Sequence, residues 1–215
     1  GARARDINPK ADIRVMPVFF NRDTRDQILD RDYDMVIDCI DNMTAKVHLL
    51  ASCHERGQPV LCSLGAGGRM DPTRIRVSDI SETHTDPFAR IVRQLLRDLG
   101  IADGIECVWT EEPPNDLDKQ AQAEFRCICP GKDTNEVHGC ESRMMVQGTV
   151  PWMPGLFGLT LAGVAVNRML GKGVHDVDGP KPKPRKIKPD TTRMSRARRK
   201  ELAARALQQA PGEAT

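Results

Sequence analysis

The chain has 215 residues, of which 39% are hydrophobic, 29% are charged and 4% are aromatic. Its 32 basic and 30 acidic side chains leave a formal net charge of +2. This composition excludes a collagen-like repeat, a polar disordered chain and a protein with many membrane spans, and the length suits one domain with an appendage.

Charge is distributed unevenly along the chain. Residues 1–170 contain 20 basic and 25 acidic side chains, whereas residues 171–215 contain 12 basic and 5 acidic ones. A basic tail of this kind suits contact with RNA or an anionic membrane surface, and it equally suits a solvated, disordered terminus. Alternating proline and lysine predict an extended linker at residues 180–189, followed by a basic, partly helical end.

The order of apolar stretches and turn residues predicts a mixed α/β fold. Apolar, β-branched stretches predict strands at residues 13–20, 35–40, 59–64 and 106–110, and another after a turn at Asp71 and Pro72. Helical spacing predicts helices at residues 24–32, 44–56 and 87–99, and a buried core helix that begins near Pro154. Residues 111–133 are polar and punctuated by proline, which predicts a long surface loop.

The strand, helix and strand within residues 35–64 predict a parallel, right-handed βαβ unit. Ligands of such sheets bind beyond the carboxyl ends of the strands. The first strand ends with Asp38, Asp41 and Asn42. The second ends with a glycine-rich run, namely Gly65, Ala66, Gly67 and Gly68. We therefore expect a ligand crevice between these two strand ends.

Each candidate in this crevice has a functional and a purely structural interpretation. A carboxylate at a strand end can hold Mg²⁺ beside nucleotide phosphates, but Asp and Asn residues there also commonly cap the following helix. Lys46 is either a phosphate contact or a solvated residue on the first helical turn. The glycine run either receives a ligand or makes a tight exit from the strand.

Cys127, Cys129, His138 and Cys140 offer the ligand types of a zinc site. Their spacing argues against one, because only one residue separates Cys127 from Cys129 and no second cysteine pair follows. The odd total of seven cysteines favours a reducing, intracellular compartment, and cytoplasmic and mitochondrion-associated locations both stay open.

Five sequence pieces together resemble a known group of proteins: DCIDN, MTAK, VLCSLGAGGRMDPTRIRVSDI, WTEEP and MPGLFGLTLAGVAV. They are similar to the ThiF and MoeB branch of the ubiquitin-activating-enzyme superfamily, and within it to the tRNA threonylcarbamoyladenosine dehydratases. The resemblance covers residues 2–172. It implies a Rossmann-like α/β sheet at residues 1–172, representing the carboxyl-terminal portion of an adenylation domain. The flexible basic tail expected from composition, at residues 173–215, lies outside the resemblance.

The resemblance also implies an activity, which is the ATP-dependent cyclisation of threonylcarbamoyladenosine in tRNA through an adenylated carboxylate. It assigns Asp41 to Mg²⁺ and the adenylate, and it places Asn42 and Lys46 near the nucleotide. The glycine run would border the substrate crevice. Members of the superfamily usually form homodimers, so we expect two partners, tRNA and a second copy of the chain. Separately, the charge of the basic tail makes it a candidate for RNA contact.

One departure from the family pattern is the missing glycine-rich nucleotide loop, which members carry upstream of the matched region. We therefore expect this chain to be either a portion of a longer gene product or a degenerate, noncatalytic relative of the family. Activation of the carboxyl terminus of a ubiquitin-like or sulfur-carrier protein is the alternative activity on the same fold.

Overall fold

A computed structural model of the chain describes residues 1–115 and 148–172. Within them, four strands form a single sheet: β1 Val36–Asp38, β2 Val60–Ser63, β3 Ile75–Asp79 and β4 Glu106–Thr110. The helices of these residues are α1 Ala2–Ile7, α2 Arg22–Ile28, α3 Met43–Glu55, α4 Pro87–Asp98 and α5 Trp152–Met169. Short 3₁₀ turns at Pro72–Arg74 and Ile80–Glu82 flank β3.

The strands follow the spatial order β1, β2, β4, β3. Strand β1 pairs with β2 in parallel, and β2 pairs with β4 in parallel, whereas β3 runs antiparallel to β4. The predicted parallel βαβ unit is therefore confirmed. Asp38, the last residue of β1, lies opposite Cys62 on β2, so the carboxyl ends of these two strands lie side by side.

Helices cover both faces of the sheet. Helices α3 and α4 pack on one face, where their Val47, Leu50 and Leu95 belong to one buried cluster with Cys62 of β2 and Cys107 of β4. Helix α5 packs on the other face, where its buried residues cluster with side chains of β2 and β4: Met153, Phe157, Leu161 and Val164 with Leu61 and Val108. Burial of these apolar side chains is the main force that holds the three layers together.

The strand predicted at residues 13–20 is wrong. These residues are outside the sheet, and their only backbone hydrogen bond with each other is a local one from the Val18 N–H to the Met16 carbonyl. Val15, Val18 and Phe19 are exposed there. Apolar, β-branched residues favour an extended backbone, but a strand also needs a neighbour, and no described strand lies beside this stretch.

Helix α5 is buried on one side only. The exposed side carries large apolar residues, including Leu159, Val166, Met169 and Leu170. The predicted core helix is therefore present: one of its sides contributes to the core, while the other side exposes large apolar residues. Among the described residues, no helix has both the length and the apolar character needed to cross a membrane.

Several sequence predictions fall on residues outside the described part of the chain. They are most of the predicted loop at 111–133, the four candidate zinc ligands Cys127, Cys129, His138 and Cys140, and the basic tail. These predictions stay predictions.

Candidate active site at the carboxyl ends of β1 and β2

The turn after β1 presents Asp41 to solvent. Hydrogen bonds from backbone N–H groups to side chains fix the residues on both sides of Asp41. The Ile40 N–H donates to Asp38 Oδ1 at 2.9 Å, and the Ala45 N–H donates to Asn42 Oδ1 at 3.0 Å. Asn42 is thus the N-cap of α3, and the capping interpretation of this residue is confirmed.

Lys46 does not lie in solvent, so its interpretation as a solvated residue is wrong. Its side chain is only 1% exposed, and its Nζ atom lies 2.5 Å from Oδ2 of Asp38, which is fully buried. The same ammonium donates to the Ser63 carbonyl at 2.9 Å and lies 3.4 Å from Cys62 Sγ. The sequence pattern predicted that Lys46 and Asp38 lie near the same crevice, but it did not predict their buried ion pair.

Electrostatics supports an ionised Lys46 in this buried setting. Burial lowers the pKa of Lys46, whereas the charge and the hydrogen bond of the Asp38 carboxylate raise it, and the net direction is upward. Burial also raises the pKa of the Cys62 thiol above its usual range. We therefore treat Cys62 as a neutral thiol, whose sulfur lies 3.3 Å from the Asp38 carboxylate.

The exposed Cys39 lies within the turn after β1. Partial burial and the negative charge of Asp38 raise the pKa of its thiol. A thiol acts as a nucleophile through its thiolate form, and this environment disfavours that form. The turn therefore offers a carboxylate at Asp41 rather than an activated thiol.

The glycine-rich run after β2 is held by a second buried ion pair. Arg69 Nη2 lies 2.8 Å from Asp86 Oδ1, and both side chains are nearly inaccessible to solvent. Arg69 also donates to the Gly67 carbonyl at 2.8 Å, and the Gly65 N–H donates to Asp86 at 3.3 Å. A Cβ atom at Gly65 would lie only 3.2 Å from the Arg69 guanidinium, so a larger residue there would press against this ion pair.

Asp86 is also the N-cap of α4, because its Oδ1 atom accepts the Phe88 N–H at 3.0 Å. Sequence analysis missed Arg69 and Asp86 as supports of the crevice. An Asp before Pro at a predicted helix start indicates a cap. Nothing in the spacing of the sequence indicates that Arg69 binds that cap.

Gly68 joins the glycine run to two other segments. It has a φ of +72°, a backbone conformation that glycine adopts without strain. Its N–H donates to the Gly148 carbonyl at 2.8 Å, and its carbonyl accepts the Asn115 N–H at 2.8 Å. The structural interpretation of this glycine, as part of a tight exit from the strand, therefore has direct support.

Glu112 ties the same region to the end of β4. Its Oε2 atom accepts the N–H groups of Met70 and Asp71 at 2.9 and 2.8 Å. The indole of Trp152, at the start of α5, donates to the Met70 carbonyl at 2.9 Å. Two of the sequence pieces that carry the family resemblance, WTEEP and the one that contains the glycine run, thus meet around residues 70–71, together with the start of α5.

An open groove of about 600 Å³ lies elsewhere, around the amino ends of β1, β2 and β4. Its lining includes Met35, Val60, Glu106 and Arg168. Open α/β sheets bind ligands at the opposite, carboxyl ends of their strands. We therefore place the candidate site at Asp41 and the glycine run, and not in this groove.

The crevice fits a role for Mg²⁺ only if a substrate supplies further oxygen ligands. Asp41 has an exposed carboxylate, whereas the Asp38 carboxylate is engaged by Lys46. In the described residues, no group of three His, Cys, Asp or Glu side chains could hold a metal ion. One carboxylate together with substrate phosphates and water is nevertheless a common way to bind Mg²⁺.

Comparison with known protein families gives a match over residues 1–209 to the model described as ThiF family. The chain is 33% identical over 169 residues to the tRNA threonylcarbamoyladenosine dehydratase of Bacillus subtilis (strain 168), a match that covers 79% of this chain and 63% of the relative. It is 30% identical over 184 residues to the Escherichia coli (strain K12) protein of the same name, covering 80% and 65%.

The fold is also similar to solved structures. The E. coli tRNA N6-threonylcarbamoyladenosine dehydratase in complex with ATP gives a TM-score of 0.62 at 28% identity, covering 79% of this chain and 61% of that chain. The complex with AMP gives a TM-score of 0.63 at 26% identity. The chain therefore spans less than two thirds of the length of these relatives.

Proposed function

Because this chain belongs to the ThiF family, we propose that it contributes to the ATP-dependent dehydration of threonylcarbamoyladenosine in tRNA, as part of a longer enzyme. The observation that carries the proposal is that the exposed Asp41 and the glycine run follow the adjacent carboxyl ends of two parallel strands. Similarity to tRNA-modifying dehydratases, one of them solved with ATP, supports the substrate assignment.

The proposed reaction has two steps. An oxygen of the threonyl carboxylate attacks the α-phosphorus of ATP, and pyrophosphate leaves. The carbamoyl oxygen of the same nucleoside then attacks the activated carbonyl carbon, an oxazolone ring closes and AMP leaves with the oxygen it received. The attacking group is tethered within the substrate, so ring closure needs positioning more than a strong nucleophile.

In this proposal Asp41 binds Mg²⁺ that accompanies the triphosphate. A bound Mg²⁺ neutralises charge that builds up on the phosphates during adenylyl transfer. Asn42 places Asp41 by capping α3, and its remaining amide N–H groups are candidates for a nucleotide contact. The backbone of Gly65, Ala66, Gly67 and Gly68 forms the wall of the crevice that faces the substrate.

The decisive experiment replaces Asp41 by Asn in the polypeptide that contains this chain. Loss of the carboxylate removes the metal ligand but keeps the shape of the side chain, so we expect ATP-dependent dehydration to fall on the order of a hundredfold. Mass spectrometry of the modified nucleoside measures the rate.

Asp34→Asn is the matched control, because Asp34 is also exposed and lies just before the other end of β1. We expect this variant to keep full activity. Undiminished activity in Asp41→Asn would refute the assigned role of Asp41.

Activation of the carboxyl terminus of a carrier protein is the alternative function on this fold. It begins with the same adenylation of a carboxylate, so the crevice by itself suits both reactions. Pyrophosphate release that depends on a carrier protein and not on tRNA would favour the alternative. The raised pKa of the Cys39 thiol argues against a covalent thioester step at this turn.

We further propose that the basic tail binds phosphates of the tRNA. Residues 171–215 contain 12 basic side chains against 5 acidic ones, and each neutralised phosphate releases counterions. We expect deletion of residues 180–215 to weaken tRNA binding and to flatten its dependence on salt, as measured by filter binding between 50 and 200 mM salt. Unchanged affinity and salt dependence would refute this role.

A further inference from the structure

The buried pair of Lys46 and Asp38 lies directly behind the turn that carries Asp41. Asp38 Oδ2 accepts from Lys46 Nζ at 2.5 Å, while its other oxygen, Oδ1, accepts the Ile40 N–H at 2.9 Å. One carboxylate thus connects the first turn of α3 with the residue that precedes Asp41. Lys46 also donates to the carbonyl of Ser63, the last residue of β2.

The contacts of Lys46 leave no donor for a ligand. A lysine ammonium has three N–H groups, and here they face the Asp38 carboxylate, the Ser63 carbonyl and the Cys62 sulfur. If the ammonium turned outward to a phosphate, the Asp38 carboxylate would stay buried without its counter-charge. An unpaired buried charge of this kind is strongly unfavourable.

We propose that Lys46 is a positioning residue that holds Asp38, and through Asp38 the turn that presents Asp41, and that it does not contact the nucleotide. This inference rests on the proposed function of Asp41. It replaces the expectation, based on family resemblance, that Lys46 lies against the nucleotide.

Lysine acetylation with a water-soluble N-hydroxysuccinimide ester tests the burial of Lys46 in the full chain. We expect Lys10, which is exposed, to react quickly and Lys46 to stay unmodified, with or without ATP and Mg²⁺. Peptide mass spectrometry measures both sites in the same sample. Reaction of Lys46 at a rate similar to that of Lys10, with or without protection by ATP, would overturn the inference.

Hydrogen exchange tests the connection from Lys46 to the turn. In Lys46→Met the Asp38 carboxylate loses its counter-charge, so we expect exchange at the Ile40 amide to accelerate on the order of a hundredfold. The double variant Asp38→Asn with Lys46→Met has no buried charge, and the Asn carbonyl can still accept the Ile40 N–H. We expect this double variant to recover most of the lost protection.

Lys10→Met is the matched control, and it should leave exchange at Ile40 unchanged. Unchanged exchange at Ile40 in Lys46→Met, or equally fast exchange in the single and double variants, would overturn the inference.

Nucleotide binding separates positioning from direct contact. If Lys46 only positions Asp41, the double variant regains the ATP·Mg²⁺ affinity that Lys46→Met loses. Its ATP·Mg²⁺ binding should then depend on salt in the same way as that of the unsubstituted protein. If Lys46 binds a phosphate, the double variant stays as weak as the single variant, and the inference fails. These binding measurements use the polypeptide that contains this chain. Absence of ATP binding by that polypeptide without substitutions would count against the proposed function alone, because acetylation and hydrogen exchange still decide which groups Lys46 contacts.

Discussion

At the scale of single residues, the candidate site is supported by charges that the fold removes from solvent. Sequence analysis found Asp41 and the glycine run because strand ends and glycines leave recognisable patterns. It could not find the partners of Lys46 and Arg69, because side chains 8 and 17 residues apart meet only when the strands and helices are in place. The burial of both cations is thus a product of tertiary structure.

The buried pair of Arg69 and Asp86 permits a prediction at this scale. Replacing Arg69 by Met leaves the Asp86 carboxylate buried without a cation, so we expect the free energy of unfolding to fall by about 3–5 kcal/mol. Asp86→Asn combined with Arg69→Met removes both charges and should recover much of that loss. Urea denaturation monitored by circular dichroism measures the free energy of unfolding of the unsubstituted chain and of the two variants.

Arg14 and Asp30 form an exposed ion pair at 2.7 Å and provide the control. Arg14→Met should leave the midpoint of unfolding unchanged, because exposed pairs contribute little. An equally small effect of Arg69→Met would contradict the prediction for the buried pair.

At the scale of elements, local patterns predicted the strands and helices that have a clear apolar pattern or a capping residue. The predicted strand at 106–110 coincides with β4, and the helices predicted at 44–56 and 87–99 differ from α3 and α4 by one residue at most at each end. Caps at Asn42 and Asp86 mark where those helices begin. The failed prediction at residues 13–20 shows the limit of such reasoning, since pairing depends on a neighbour that local sequence does not specify.

The exposed side of α5 leads to a prediction about assembly. Leu159 is 71% exposed on a helix whose outward side also carries Val166 and Met169, and such surfaces commonly mark protein interfaces. We expect the chain to form a homodimer through this side, and Leu159→Glu to convert it to a monomer. Size-exclusion chromatography with light scattering measures the mass.

Val15→Glu, at another exposed apolar residue, is the control for this experiment and should leave the dimer intact. A monomeric unsubstituted chain, or a dimer that tolerates Leu159→Glu, would contradict the assignment of this interface.

At the scale of the whole molecule, stability should depend on pH through His48. This residue is 3% exposed, its ring lies 5.3 Å from that of Phe20, and its Nε2 atom has no hydrogen-bond partner among the described residues. Burial lowers the pKa of His48, and the charges of Arg25 and Arg22 lower it further. The unfolded chain therefore binds a proton more readily at this position than the folded chain does.

The sign of the pH effect follows from this difference. The contribution of His48 to stability is complete above its unfolded pKa of about 6.5 and is lost as the pH falls through its lower folded pKa. We expect the free energy of unfolding to decrease from pH 7 to pH 5.5, and His48→Gln to reduce that slope. His54→Gln, at an exposed position of the same helix, should keep the slope, and an unaltered slope in His48→Gln would contradict the prediction.

The two hydrogen bonds of Gly68 have a consequence for how the sequence can vary. They bring Asn115 and Gly148, which are far apart along the chain, to the same residue. Any other residue at position 68 would strain the backbone at this positive φ and would bring its Cβ atom within 3.4 Å of the Pro114 side chain. A substitution at this one glycine would therefore disturb three segments of the chain at once, because the hydrogen bonds to Asn115 and Gly148 both depend on the conformation of its backbone.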